Sequence, residues 1–138
     1  MTALRKTVIS DIDGTLIKHG HTAQKILTNE TDSELLKNVK EAFDYWDLTG
    51  TCIILTTGRR ESCRAHTEWE LEQLGLTWDH LIMGVGSGPR LLINDYEPVE
   101  GPNGTTVTPK AISYNVERDY GLDLDYLDEL EVYGTVEE

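Results

Sequence analysis

Asp11 and Asp13 stand two residues apart directly before Gly14, a spacing that sets two carboxylates at a sharp turn with backbone amides close to whatever they hold. A third carboxylate, Asp95, follows Asn94 much later in the chain. Oxygen ligands of this kind, with no His or Cys among them, suit Mg²⁺, a hard ion that keeps several waters and takes substrate phosphate oxygen in its remaining positions. Between these acids lies Thr56-Thr57-Gly58-Arg59. The hydroxyl of Thr57 and the backbone amides of the Gly58 turn can hydrogen-bond a phosphoryl oxygen, and Arg59 can neutralise its charge. Phosphoryl transfer is the chemistry this set of residues suggests.

Such residues act together only if the fold brings them together. Val8, Ile9 and Ile12 form an apolar run ending in Asp13-Gly14-Thr15, read as a first strand. Thr31-Asp32-Ser33-Glu34 has the form of a capping box, and Leu35, Leu36, Val39, Ala42, Phe43 and Trp46 then recur at helical spacing, predicting a helix of about four turns that ends before Gly50. Thr51 to Leu55 is a second strand, Glu61 to Leu74 a second helix capped by Gly75, His80 to Met83 a third strand and Arg90 to Ile93 a fourth. Ala111 to Val116 is read as a fifth, before a short helix around Leu122 to Leu130. Strands alternating with helices predict an α/β protein, a Rossmann-like three-layer sandwich with a mainly parallel sheet. In such sheets ligands bind beyond the carboxyl ends of the strands, so Asp11, Asp13, Thr56, Thr57, Arg59, Asn94 and Asp95 are expected to converge.

The chain has 138 residues, 38% hydrophobic and 27% charged, enough for one globular domain. A core at 1–120 and an acidic C-terminal segment at 121–138, read as a short helix with a frayed end, are the expected divisions. A net charge of −13 opposes phosphate backbones and anionic membranes over most of the surface. The expected partner is therefore a small phosphorylated molecule, with nucleic acid disfavoured, no membrane and a homo-oligomer as the assembly to test for. Cys52 and Cys63 fit neither a disulfide framework nor a zinc pattern, and no apolar run has the length of a signal peptide or membrane span, so a cytoplasmic setting is expected. Trp46, Trp69 and Trp78 read as packing residues, His19 and His21 as exposed flap residues, and the 84–88 glycine loop as a close-approach turn.

Asp11-Ile12-Asp13-Gly14-Thr15 after Val8-Ile9-Ser10 resembles the first motif of the haloacid dehalogenase (HAD) superfamily. Thr57-Gly58-Arg59 after Ile53-Ile54-Leu55 resembles its second motif, and Asn94-Asp95 after Leu91-Leu92-Ile93 its fourth. The resemblance runs from residue 7 to 98, with the three motifs in order. It implies that Asp11 is a nucleophile forming an aspartyl-phosphate and that Asp13 is the acid that protonates the leaving oxygen. It further implies that Thr57 binds the phosphoryl group and that Asp95 with Asn94 completes an Mg²⁺ site. From residues and resemblance together the metal set is Asp11, Asp13, Asn94 and Asp95, and the phosphate set Thr57, Gly58, Arg59 and Arg90. A proton donor at Asp13 fits phosphoester substrates, which favours a phosphatase over a dehalogenase, and Asp11 and Asp13 should then differ in pKa.

The third motif of the superfamily is a lysine, and none lies between Gly58 and Asn94; Arg90 and Lys110 are the stand-ins. The two intervals between motifs are consumed by the elements already assigned, so no cap domain is expected, as in octulosonate-phosphate and polynucleotide-end phosphatases of the superfamily. The charge then favours a sugar phosphate as substrate. The rival reading is a weak or inactive HAD-like protein that binds phosphate or metal as a regulator.

Overall fold

The structure, a computed structural model, describes residues 5–19 and 33–133. Strand β1 (Thr7–Asp11), β2 (Cys52–Thr56) and β3 (His80–Ile82) form one parallel sheet in that order. Ile53 and Leu55 of β2 are buried while their neighbours are only partly covered, the alternation of a strand with one face turned to the core. The register pairs Asp11 with Thr56 and Thr56 with Ile82, so the carboxyl ends of all three strands lie in one row. This is an α/β fold with the Asp11–Thr15 turn and the Thr57–Arg59 loop issuing from one end of the sheet.

Helix α1 (Val39–Leu48) crosses from β1 to β2 and buries Val39, Ala42, Phe43 and Trp46, one stripe at helical spacing. Phe43 and Trp46 meet edge to face, ring centres 5.3 Å apart. The capping box does not start this helix. Leu35 instead bridges to Ile17, Asn38 adopts a left-handed conformation at the N-cap, and its Nδ2 donates to the Leu122 carbonyl at 2.7 Å. A tertiary hydrogen bond thus fixes the start, later than the local motif implied; Thr31 and Asp32 lie outside the described residues.

A short 3₁₀ turn (Glu61–Cys63) leads into α2 (Arg64–Gln73), whose buried side chains are Thr67, Glu70 and Leu71. Both helices close in the same way. Gly50 and Gly75 take positive φ one residue past the cap, and the next amides, Thr51 and Leu76, reach back to the carbonyls of Trp46 and Leu71. Trp69 differs from its expected packing role: it is 40% exposed, because the inward face of α2 is turned to present Thr67 and Glu70.

After β3 the chain departs from expectation. Residues 90–93 form no strand, and Leu91, Leu92 and Ile93 are 84%, 57% and 84% exposed. Residues 111–116 form none either. Instead β4 (Tyr96–Gly101) and β5 (Gly104–Pro109) pair antiparallel as a separate hairpin, closed at Gly101 and Gly104. A hairpin across a two-residue turn closes with little loop entropy, and the β-branched residues of Gly104-Thr105-Thr106-Val107-Thr108 suit it, whereas adding Leu91–Ile93 to the sheet requires pairing with a distant strand. The outer edge of β1 accordingly borders a cavity of about 720 Å³ walled by Leu16, Trp46, Val116 and Leu127.

Helix α3 (Leu124–Tyr133) completes the fold. Leu122 is buried in the core, its amide donates to the Lys37 carbonyl at 2.9 Å, and Leu127 packs against the same cluster. No helix among the described residues is long and apolar enough to cross a membrane.

Candidate active site

The turn after β1 is built around the Ile12 carbonyl, which accepts the amides of Thr15, Leu16 and Ile17 at 3.2, 2.9 and 3.2 Å. Gly14 takes φ 85 within it, a conformation that side chains resist. Ile12 itself is fully buried, which sends Asp11 and Asp13 out on either side of an anchored residue. Asp11 is half-buried at the head of the 720 Å³ cavity, which Asn94, Asp95 and Lys110 also line. Burial raises the Asp11 pKa above the ordinary aspartate value and the nearby Asp13 charge adds to this, while the Ile12 amide and the positive charges of Arg90 and His19 oppose it.

Asp13 faces a different partner. Its carboxylate accepts from Arg59 Nε at 3.0 Å and Nη2 at 2.9 Å, a two-pronged pairing. The remaining side of the guanidinium donates through Nη1 to Thr67 Oγ1 at 3.1 Å and Glu70 Oε1 at 2.8 Å, and Glu70 Oε2 accepts from Ser33 Oγ at 2.6 Å. The Arg59 side chain is 5% exposed, Glu70 1% and Asp13 22%. Burial alone would lower the arginine pKa, but its bonds to the two carboxylates outweigh that and hold it more firmly protonated. Glu70 is drawn the other way: burial would raise its pKa, yet the Ser33 hydroxyl and Arg59 keep it below the ordinary glutamate value.

Arg59 thus makes four hydrogen bonds, to Asp13, Thr67 and Glu70, and links the first turn to α2. Asp13 meets the guanidinium with both carboxylate oxygens.

The residues around Gly58 are held from the other side. Thr57 is buried, its Oγ1 accepts the Arg59 amide at 3.1 Å, and its amide donates to Ile82 O at 3.0 Å. Val85 N donates to Thr57 O at 2.9 Å and Gly84 N to Arg59 O at 2.7 Å. A Cβ on Gly58 would stand 3.3 Å from the Val85 carbonyl, the close approach that the glycine loop suggested.

The expected convergence is therefore partial. Asp11, Asn94 and Asp95 line one cavity, while Asp13, Thr57 and Arg59 are linked to one another by hydrogen bonds. Among the described residues no three His, Cys, Asp or Glu side chains gather as a metal cluster. Arg90 donates to Gly88 O at 2.9 Å from an exposed position, and Lys110 pairs with Glu97 at 3.1 Å. Cys52 and Cys63 are free. The His19 amide donates to Asp119 Oδ1 at 2.6 Å, and His21 lies outside the described residues.

Sequence reasoning passed over Glu70, Thr67 and Arg118. The first two carried a signal, since a Thr and a Glu three apart fall on the inward face of a helix that follows a buried-strand loop. Arg118 had none: its aliphatic carbons lie over Gly14, brought there when Asp119 N bonds Gly14 O at 2.8 Å.

No curated protein and no solved structure matches the chain. The family model for the polynucleotide kinase PNKP phosphatase domain matches residues 5–85, more than half of the sequence, and spans both the Asp11–Thr15 turn and Thr57–Arg59. The chain belongs to this phosphatase-domain family of the HAD superfamily.

Proposed function

We propose that the chain hydrolyses phosphate monoesters through an aspartyl-phosphate on Asp11. The observation that carries this reading is the placement of Asp11 at the carboxyl end of β1, level with Thr56 and open to the cavity, inside the matched phosphatase region. An Asp11 oxygen attacks phosphorus as the bond to the leaving oxygen breaks, and Asp13 gives that oxygen a proton. Water then attacks the same phosphorus, passing its proton to Asp13, and the phosphorus–Asp11 bond breaks to release phosphate and the free carboxylate. The Arg59 fork takes two of the roughly four lone-pair sites of Asp13, which leaves the outward ones for this proton. Thr57 and the Gly58 turn orient the phosphoryl group.

The cavity residues Asp11, Asn94 and Asp95 offer oxygen donors only, which fits Mg²⁺, since this ion is held through one or two carboxylates with waters and substrate in its other positions. Bound there, it would neutralise charge on the phosphoryl oxygens. The same reading takes the fold to be a capless, Rossmann-like three-layer sandwich, and the substrate to be a phosphorylated sugar or metabolite reaching an open site. Pure protein with Mg²⁺ and p-nitrophenyl phosphate, sugar phosphates and a terminally phosphorylated oligonucleotide should release phosphate above an Asp11→Asn control. No release from any of them refutes the proposal. A phosphate- or metal-binding regulator is the second reading, favoured by the absence of a lysine between Gly58 and Asn94.

A further inference from the structure

A buried arginine needs one carboxylate to compensate its charge, and Arg59 has two, Asp13 on its Nε–Nη2 edge and Glu70 on Nη1. An arginine tied only to Asp13 could swing with it as a pair, because both side chains carry several rotatable bonds. Here the swing is blocked. Nη1 is held by Thr67 and Glu70, which sit three apart on the inward face of α2, and α2 is itself seated by fully buried Leu71. The Arg59 backbone is fixed as well, with its amide on Thr57 Oγ1 and its carbonyl on the Gly84 amide. The Ser33 hydroxyl occupies the second Glu70 oxygen, so Glu70 has no reason to rotate.

We propose that Glu70, with Thr67 beside it, is a positioning residue for Asp13: gripping one side of the Arg59 fork from α2 holds the other side, and the Asp13 carboxylate on it, at the angle from which a proton reaches the leaving oxygen. This rests on the phosphatase reading for the role of Asp13 but adds residues that touch neither substrate nor Asp13. A fold support would act on every substrate alike. In the step that forms the aspartyl-phosphate, a positioning residue for the proton donor acts only where the leaving group needs a proton.

The test is therefore the leaving group. Glu70→Gln and Thr67→Val, with Asp13→Asn as reference, are assayed on p-nitrophenyl phosphate, whose leaving group departs as the anion, and on glycerol phosphate, whose alkoxide does not. The Glu70 variant should lose about 10- to 100-fold in kcat/KM, which stops at aspartyl-phosphate formation, on the alkyl ester, part of what a positioned acid contributes, and less than about threefold on the aryl ester. Thr67→Val should show the same selectivity at smaller size and serves if Glu70→Gln does not fold. Equal losses on both esters, or none, overturn the inference. Hydrogen exchange at Arg59 Nε–H, followed by ¹⁵N NMR, needs no turnover. It should quicken about threefold or more in Glu70→Gln, since Nε donates to Asp13 and a fork whose Nη1 has lost its charged partner holds that bond less firmly. Unchanged exchange overturns the positioning claim even in a chain that hydrolyses neither ester, whereas such a chain with the expected exchange refutes the phosphatase reading alone.

Discussion

Replacing Arg59 by Met keeps an unbranched chain in place but strands two carboxylates, one of them fully buried. Glu70 is 1% exposed and would be left with only the Ser33 hydroxyl, while Asp13 at 22% can recover part of its hydration. Breaking one side of a buried ion pair typically costs about 3–5 kcal/mol, and here most of that falls on Glu70. Urea unfolding at neutral pH should show the loss as a lower midpoint with an unchanged slope. Its pH dependence follows from the Glu70 shift. In the native protein this pKa is held below the ordinary value, so the stabilisation is complete above that value and fades as pH falls through the lowered one. Without Arg59, burial raises the Glu70 pKa, so the penalty shrinks on acidification. Adding Glu70→Met to Arg59→Met should recover most of the neutral-pH loss, since apolar replacement of a buried pair is often close to neutral. A single-variant loss under about 1 kcal/mol, or a loss that the second change does not relieve, would refute the reasoning.

Other consequences can be measured directly. Asp11→Asn should abolish phosphate release yet, in metal-free protein, raise the neutral-pH melting temperature, because burial makes the ionised carboxylate unfavourable; a lower melting temperature contradicts this. In metal-free protein the Asp11 carboxyl, followed by ¹³C NMR, should titrate above the ordinary aspartate range and higher still in Arg90→Ala, which removes a charge that favours ionised Asp11; a downward move is the contrary result. Gly121→Ala should destabilise the fold by about 2–3 kcal/mol in denaturant melts, since its Cβ would lie 2.4 Å from the Lys37 carbonyl oxygen at φ +94.

What the sequence revealed was set by local rules. The strands ending at Asp11 and Thr56 showed as apolar runs, the α1 stripe from Val39 to Trp46 as a period, and the helix ends as Gly50 and Gly75. Parallel pairing of β1 and β2 then aligned the two motifs, a consequence of topology alone. What stayed hidden depends on contacts between distant residues. The α1 start was decided by Leu122, far along the chain, and not by the capping box. Leu91–Ile93 reads as a strand because it is apolar, but burial requires a neighbour, and the nearby hairpin pairs with itself. The charge of Arg59 beside Thr57-Gly58 was legible, but only the packing of α2 showed Thr67 and Glu70 taking its Nη1.

The central claim is covalent chemistry at Asp11, and rapid acid quench of the turning-over enzyme tests it most directly. Wild-type protein mixed with Mg²⁺ and p-nitrophenyl phosphate, quenched and digested, should yield a peptide containing Asp11 that carries one phosphoryl group by mass, labile to hydroxylamine and absent from Asp11→Asn. Phosphate release with no such peptide, or with the phosphoryl group on another residue, would contradict the account.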